Sequence, residues 1–384
     1  MRTNRFWNGL LLVAIIGIGS WGCQRTTDDG QGGSAGGEAG KGGGGGSAGE
    51  GGSGEGGSGG KKTFTSTLPC DVYAEDGGPC VAAHSTVRAL FADYDGPLYQ
   101  VRRADGETKD IGVIEKGGFA KSSDQDEFCT EKCTISIIYD QSSQGNHLTK
   151  APPGEMKKTE GKEATATALP LTLDGHKVYG EKNVVGVGYR NNQAKGTAEN
   201  DDPETIYMVA SGDYYNAGCC FDYGNAERNS KNNGEGTMEA VYFGNCTIWN
   251  KGDGDGPWVM GDLEDGLWAG NTSPYTESKP ITYKLVTGMV KGGKAGANRW
   301  AIKAGNAQDG ALNTVFIGPR PSDRYNPMRK EGAIILGTGG DNSNGGVGNF
   351  FEGVMTAHFS SDEADEAVHA NIVSVYKSAE FIQE

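Results

Sequence analysis

The chain has 384 residues, 65 of them glycine, with 35 basic against 50 acidic side chains and a net charge of −15. Glycine at more than twice its ordinary usage, without a Gly-X-Y period, excludes collagen. An acidic balance with no basic run argues against nucleic acid as a partner, whereas a neutral substrate meets no such barrier.

In chain order, Arg2 and Arg5 precede an apolar stretch from Leu10 to Ile18, and small residues then lead to Gly22-Cys23. This is the layout of an export signal, with an apolar segment too short to span a bilayer comfortably. The Gly-Cys junction resembles a bacterial lipoprotein signal. Residues 1–23 therefore read as a lipoprotein signal peptide with Cys23 as the lipid anchor, and ordinary secretion is the alternative. Residues 24–62 form a Gly/Ser/Glu-rich tether: positions 30–60 hold 19 glycines and almost nothing apolar, so the segment cannot offset its ordering entropy. The expected location is the cell surface or outer membrane, with the membrane reached through Cys23, and otherwise the medium.

Residues 63–384 read as one domain, without internal repeats. Cys70 and Cys80 flank a Gly-Gly-Pro turn, and Cys129 and Cys133 are separated by three polar residues; both pairs suit local disulfides in an oxidising compartment. Neither the cysteines nor the five histidines have zinc-site spacing, so no metal and no other cofactor is expected. Helix formers over Val87–Tyr94 predict a helix. Short runs rich in β-branched and aromatic residues predict strands over Thr134–Tyr139, Ile206–Ala210, Met238–Phe243, Trp258–Leu263, Tyr283–Val290, Trp300–Lys303, Ala333–Leu336 and Phe350–Thr356. Turn signals such as Asp174-Gly175 and Asn344-Gly345 separate them, and the whole argues for an all-β sandwich. Ser360 with Glu363 makes a capping-box pattern that opens a short C-terminal helix, its apolar stripe carried by Ala367, Ile372, Val373 and Tyr376.

Three islands could carry chemistry. Period-two alternation places Trp258, Met260, Asp262 and Glu264 on one side of a strand. Two carboxyls beside a tryptophan suit a sugar cleft, and close acids raise each other's pKa; the same spacing also fits a strand end with both acids in water. The loop Gly337–Gly345 presents Asp341 from a glycine-rich backbone that a ligand can approach closely, or is a plain turn. Cys219-Cys220 either closes a vicinal disulfide ring or pairs each cysteine elsewhere.

Together these islands resemble the catalytic domain of glycoside hydrolase family 54, the α-L-arabinofuranosidase B family. The similarity runs from about Leu68 to Tyr376. It is carried by Pro69-Cys70-Asp71-Val72-Tyr73, Gly78-Pro79-Cys80-Val81-Ala82-Ala83-His84-Ser85-Thr86, Ile138-Tyr139-Asp140-Gln141-Ser142 and Gly145-Asn146-His147-Leu148-Thr149. Further on stand Cys219-Cys220-Phe221-Asp222-Tyr223-Gly224-Asn225, Gly254-Asp255-Gly256-Pro257-Trp258, Lys330–Gly337 and Gly339–Gly345.

The resemblance implies a concanavalin/lectin-like β-sandwich and a retaining, exo-acting hydrolase that releases terminal α-L-arabinofuranosyl units from arabinan- or arabinoxylan-type polysaccharides. It places the nucleophile on Glu264 and the general acid/base on Asp341, with their carboxyls ~5–5.5 Å apart. Substrate-binding positions fall on Asp262, Asp265, Gly266, Gly340, Trp249, Cys219 and Cys220. The implied disulfides are Cys70–Cys80, Cys129–Cys133 and Cys219–Cys220, which leaves Cys23 for lipid and Cys246 as a thiol. A monomer acting on an arabinose-containing polysaccharide or oligosaccharide is expected. Asp265 and Gly266 depart from the two asparagines usual in the family after the nucleophile. A non-catalytic surface lectin, or a hydrolase of another furanoside such as galactofuranose, are the competing readings.

Overall fold

Apolar residues that alternate with a period of two can be buried on one face of a sheet, and here two sheets bury such faces against each other. The computed structural model describes residues 62–294 and 299–382. The expected export signal with Cys23, and the expected tether as far as residue 61, lie outside the described residues. One sheet orders its strands Cys80–Ser85, Gly348–Thr356, Glu204–Ser211, Leu285–Gly292, Trp300–Asn306 and Asp309–Gly318, with Glu181–Asn183 added alongside Gly348–Thr356. The other runs Leu267–Trp268, Trp258–Asp262, Glu239–Gly244, Asp222–Ala226, Ala333–Leu336, Tyr189–Asn191, Leu148–Lys150, Cys133–Ile138, Tyr99–Arg103 and Thr108–Ile111. Neighbouring strands in both are antiparallel. The architecture is the expected all-β sandwich, and all eight expected strands are present with ends shifted by no more than a few residues.

Between the sheets lie Tyr223, Val241, Phe243, Val259, Leu263 and Leu336 from one side and Val286, Val290, Ile302 and Met355 from the other. The sheets approach closely enough that a Cβ on Gly288 would press on Val259 and Val241 at 3.1–3.2 Å. In the strands Asp222–Ala226, Glu239–Gly244 and Trp258–Asp262 the alternate residues point away from this core yet remain buried. Tyr242, Trp258 and Met260 form a separate cluster with Cys220, Cys246 and Leu267, roofed by loops that carry Cys219 and Trp249. That second, covered face is where the acidic residues gather.

The helix Asp362–Tyr376 closes the chain, and Lys291 and Lys303 reach it through ion pairs to Asp365 at 2.6 and 2.7 Å. Its cap is Ser361, one residue later than the Ser360 expected, because the Ser360 side chain is bound to Asp365 while Ser361 Oγ accepts from Ala364 N at 3.2 Å. The buried stripe is correspondingly Ala364, Asp365, Val368, His369, Ile372 and Tyr376; Ala367 and Val373 are half-buried.

Val87–Tyr94 is not helical. Side chains elsewhere claim its backbone: Ser85 Oγ accepts from Val87 N and Arg88 N, Gln141 Oε1 from Leu90 N, and Asp71 Oδ2 from Ala92 N. Two short helices do occur in the first part of the domain, Pro69–Glu75 and Ser122–Phe128; they are seven residues each and adjoin the local disulfides Cys70–Cys80 and Cys129–Cys133.

One buried acid in the sandwich yields a clean pH prediction. Glu181 is fully buried with neither carboxyl oxygen hydrogen-bonded, and burial pushes its pKa from 4.5 to about 8. The native state therefore keeps a proton that the unfolded chain releases above pH 4.5, and stability falls as pH rises from there to about 8. Glu181→Gln removes that loss. Relative to wild type the variant should gain stability, by up to a few kcal/mol, between pH 4.5 and pH 8 in urea titrations. A difference that stays constant with pH would contradict the assignment.

Candidate active site

The strand Trp258–Asp262 ends in a tight reversal rather than continuing through Glu264. Glu264 and Asp265 both take left-handed backbone conformations, with φ of 59° and 53°, and Leu263 N bonds Gly266 O at 3.1 Å across the turn. Two successive positive φ values are the signature of a type I′ hairpin, which favours Asn, Asp and Gly. A glutamate there costs on the order of 1–3 kcal/mol, and such outliers concentrate at functional sites. Strict alternation thus holds to Asp262 only. The turn brings Glu264 back to the same side, where its backbone N bonds Asp262 Oδ1 at 3.1 Å.

Register across the ten-stranded sheet aligns Asp262, Ala240, Gly224, Ile335 and Arg190 in one row on the covered face. Over this row folds the loop after Ala333–Leu336. Gly339 N bonds Ser343 O at 2.8 Å, Asp341 Oδ1 accepts from Ser343 N at 2.8 Å, and Asp341 O accepts from Met156 N at 3.1 Å. Asn342, at φ 69°, anchors the loop through Pro152 O at 2.7 Å. Asp341 is therefore half-buried and held in place instead of standing at an exposed tip.

These elements border a cleft of about 350 Å³, counted to its solvent-open mouth and lined by Cys219, Cys220, Asn232, Trp249, Asp262, Glu264, Asp265, Gly266, Leu267, Gly339, Gly340, Asp341 and Ser343. Every position that the sequence reading assigned to catalysis or substrate binding lies on it. Cys219 and Cys220 are joined in a vicinal disulfide, with Cys220 Sγ 3.6 Å from Asp262 Oδ2 and Ser343 Oγ 3.8 Å from Cys219 Sγ. Cys246 lies buried outside the three disulfides, in the cluster with Cys220 and Trp258.

Asp262 and Glu264 are each only 6% exposed, and they are not alone. Asp222 is paired with Asp262, and Glu227 with Glu264. Two facing carboxylates have no donor between them, so each pair makes its hydrogen bond only by retaining a proton. Burial, then the neighbouring charges, pushes Asp262 up to about 8 and holds Asp222 and Glu264 well above the usual carboxylate range. Asp341 is also raised, by burial first, with Glu155 adding to the effect while Ser343 and Arg190 oppose it. At neutral pH this cluster contains acids that still carry protons, as general acid catalysis requires.

Three of its members escaped the sequence reading. Asp222 occurs only inside a matched stretch, and Glu227 and Arg190 carried no local signal. Arg190 is buried and ties two parts of the cleft together: Nη1 donates to Gly340 O at 2.7 Å and Nη2 to Glu227 O. Burial lowers its pKa to about 10, with Glu227, Asp341 and Glu264 acting in the opposite sense, so it remains a cation.

The family described as "Alpha-L-arabinofuranosidase B, catalytic" matches residues 69–378. The chain belongs to this family. It is 53% identical over 314 residues to a probable alpha-L-arabinofuranosidase B of Aspergillus fumigatus, covering 80% of this chain and 62% of the relative. An alpha-L-arabinofuranosidase of Hypocrea jecorina is 52% identical with the same coverage. Among solved structures, an arabinofuranosidase complexed with arabinofuranosyl-alpha-1,2-xylobiose is 50% identical at a TM-score of 0.78, covering 80% of this chain and 65% of that one. A GH54 α-L-arabinofuranosidase soaked with a cyclic sulfate inhibitor is 49% identical at a TM-score of 0.79, with 82% and 66% covered. The chain spans about three fifths of the length of the curated relatives it matches.

The departures from the arabinofuranosidase B pattern have structural counterparts. A Cβ on Gly266 would stand 2.3 Å from Trp268 Nε1 and 2.5 Å from Tyr325 OH, so these two rings occupy the room an asparagine would need. Asp265 is exposed at the rim and accepts from Asn232 Nδ2 at 2.6 Å. Trp268, Tyr325 and Asn232 thus surround the turn that follows Glu264.

Proposed function

We propose that this chain is a retaining, exo-acting α-L-arabinofuranosidase that removes terminal α-L-arabinofuranosyl units from arabinan- or arabinoxylan-type chains. The observation that carries this reading is the convergence of Glu264 and Asp341, remote in sequence, on one small cleft walled by the Cys219–Cys220 ring and Trp249. A small cleft suits a single terminal sugar better than the interior of a polymer.

In the proposed first step Glu264 attacks the anomeric carbon while protonated Asp341 donates to the departing glycosidic oxygen. Esterification neutralises Glu264 and so lowers the pKa of Asp341, which then acts as base on the incoming water. Asp262 holds Glu264 through the 3.1 Å bond to its backbone N and offers its remaining acceptor capacity to a sugar hydroxyl. The disulfide ring supplies an apolar wall against one face of the furanose.

Export of the domain fits its three disulfides, which persist in oxidising compartments. We further propose that residues 1–23 direct it there, that Cys23 holds it to a membrane, and that residues 24–62 act as the leash for the catalytic unit 63–384.

The test is turnover of p-nitrophenyl α-L-arabinofuranoside against the β-D-galactofuranoside, with the first-formed sugar followed by proton NMR. Release of arabinose first as the α-anomer is expected. Preference for the galactofuranoside, appearance of the β-anomer first, or binding of arabinan oligomers without turnover would each overturn the reading.

A further inference from the structure

Glu227 lies just beyond the strand Asp222–Ala226 and is fully buried. Its Oε1 accepts from Thr237 Oγ1 at 2.5 Å, and its main-chain oxygen accepts from Arg190. Its other oxygen, Oε2, is buried with no donor among the described residues. What stands next to it is Glu264. A Cβ placed on Gly340 would lie 2.0 Å from Glu227 Oε2 and 2.7 Å from Glu264 Oε2, so both oxygens crowd the one spot that only a glycine leaves open. An orphan acceptor pressed against the oxygen of a second acid is unfavourable unless a proton lies between them. Glu227, braced on its far side by Thr237 and Arg190, has its unpartnered oxygen aimed at the nucleophile and does not line the cleft itself.

We propose that Glu227 is the positioning residue of the reaction, holding the proton shared with Glu264 and donating it as a hydrogen bond to one Glu264 oxygen while the other attacks the sugar. This inference rests on the assignment of Glu264 as nucleophile. In the first step a bond forms between Glu264 and the anomeric carbon, the glycosidic C–O bond breaks, and the leaving oxygen takes its proton from Asp341. The Glu227 proton stays where it is and comes to face the carbonyl oxygen of the new ester. In the second step water bonds to the anomeric carbon and loses a proton to Asp341, and Glu264 departs as a carboxylate onto the Glu227 hydroxyl. An anion that would be unstable in a buried, acid-rich cleft thereby always meets a donor. The other charged groups acting on the pair are Asp262, Asp341 and Arg190; Glu331 acts on Arg190, and Glu155 on Asp341.

Two variants of the full chain test the role. Glu227→Gln keeps a donor of the same reach but cannot ionise; Glu227→Ala removes the donor. With p-nitrophenyl α-L-arabinofuranoside, Glu227→Ala should lose about 10- to 100-fold in kcat with little change in KM, the size of one hydrogen bond to a charged group. Glu227→Gln should recover most of that loss, and its acidic limb of kcat/KM should move to lower pH, since the nucleophile no longer shares its proton with a second acid. Equal losses in both variants, or a pH profile identical to wild type in Glu227→Gln, would overturn the proposal. The isosteric Gln variant decides the matter even if Glu227→Ala fails to fold. A wild type inactive on arabinofuranosides would instead defeat the functional reading on which this one stands.

Discussion

Replacing Glu264 by Gln is expected to lower kcat on p-nitrophenyl α-L-arabinofuranoside on the order of 10⁴-fold or more, the scale seen when a nucleophile is removed from a preorganised site. The amide keeps the shape of the side chain and its place in the left-handed turn at φ 59°, so the hairpin and the Asp262 bond to the backbone N of residue 264 should survive. It loses the one electron pair able to form the covalent intermediate. Far-UV circular dichroism and the thermal midpoint should therefore match wild type, and binding of the intact substrate should persist while release of p-nitrophenol stops. Burial, then Glu227, Asp262 and Asp341, holds the Glu264 pKa well above its usual range, so the amide also removes the cost of ionising residue 264 in the folded state. The variant is consequently expected to be no less stable than wild type above neutral pH. Turnover at the wild-type rate would show that Glu264 is not the nucleophile.

Replacing Asp341 by Asn should cost about 10²–10⁴-fold, the contribution of a positioned acid–base group, and the loss should depend on the leaving group. p-Nitrophenol departs without much help from an acid, so the first step survives while the second, which needs a base, becomes slow. A burst of p-nitrophenol followed by a low steady rate is the expected trace. Azide needs no base and should restore turnover, yielding the α-arabinofuranosyl azide. An arabino-oligosaccharide, whose leaving sugar must be protonated, should lose more and gain little from azide. The loop should remain ordered, because Asn can still accept the 2.8 Å bond from Ser343 N and the anchor through Asn342 is untouched. Equal losses on both substrates with no response to azide would remove Asp341 from the acid/base role.

Much of the sandwich could be read from local pattern. The strands Trp258–Asp262, Ala333–Leu336 and Leu285–Gly292 announce themselves because β-branched and aromatic residues crowd into short runs between turns. The Val87–Tyr94 segment misled because helix formers count only when their backbone groups are left to one another, and here Ser85, Gln141 and Asp71 take them. Glu264 shows the same limit at a single residue: alternation predicts its side correctly, but through a strand that does not exist, since the chain reverses there in a turn its own propensity disfavours.

By itself, the sequence determined the glycine-rich composition of residues 24–62, the all-β class, the short-range disulfides Cys70–Cys80 and Cys129–Cys133, and, through resemblance, the cleft positions from Cys219 to Asp341. Each depends on neighbours along the chain or on long ordered matches. Only the tertiary structure decided that Asp222 and Glu227 join Asp262 and Glu264, that Arg190 binds the backbones of Glu227 and Gly340, and that Trp268 and Tyr325 fill the space beside Gly266. The physical reason is that a proton shared by two acids, or a ring filling a missing side chain, depends on distances of a few ångströms between residues far apart in sequence. Burial, which raises the carboxyl pKa values and makes the cluster chemically useful, exists only once both sheets and their loops have closed over it.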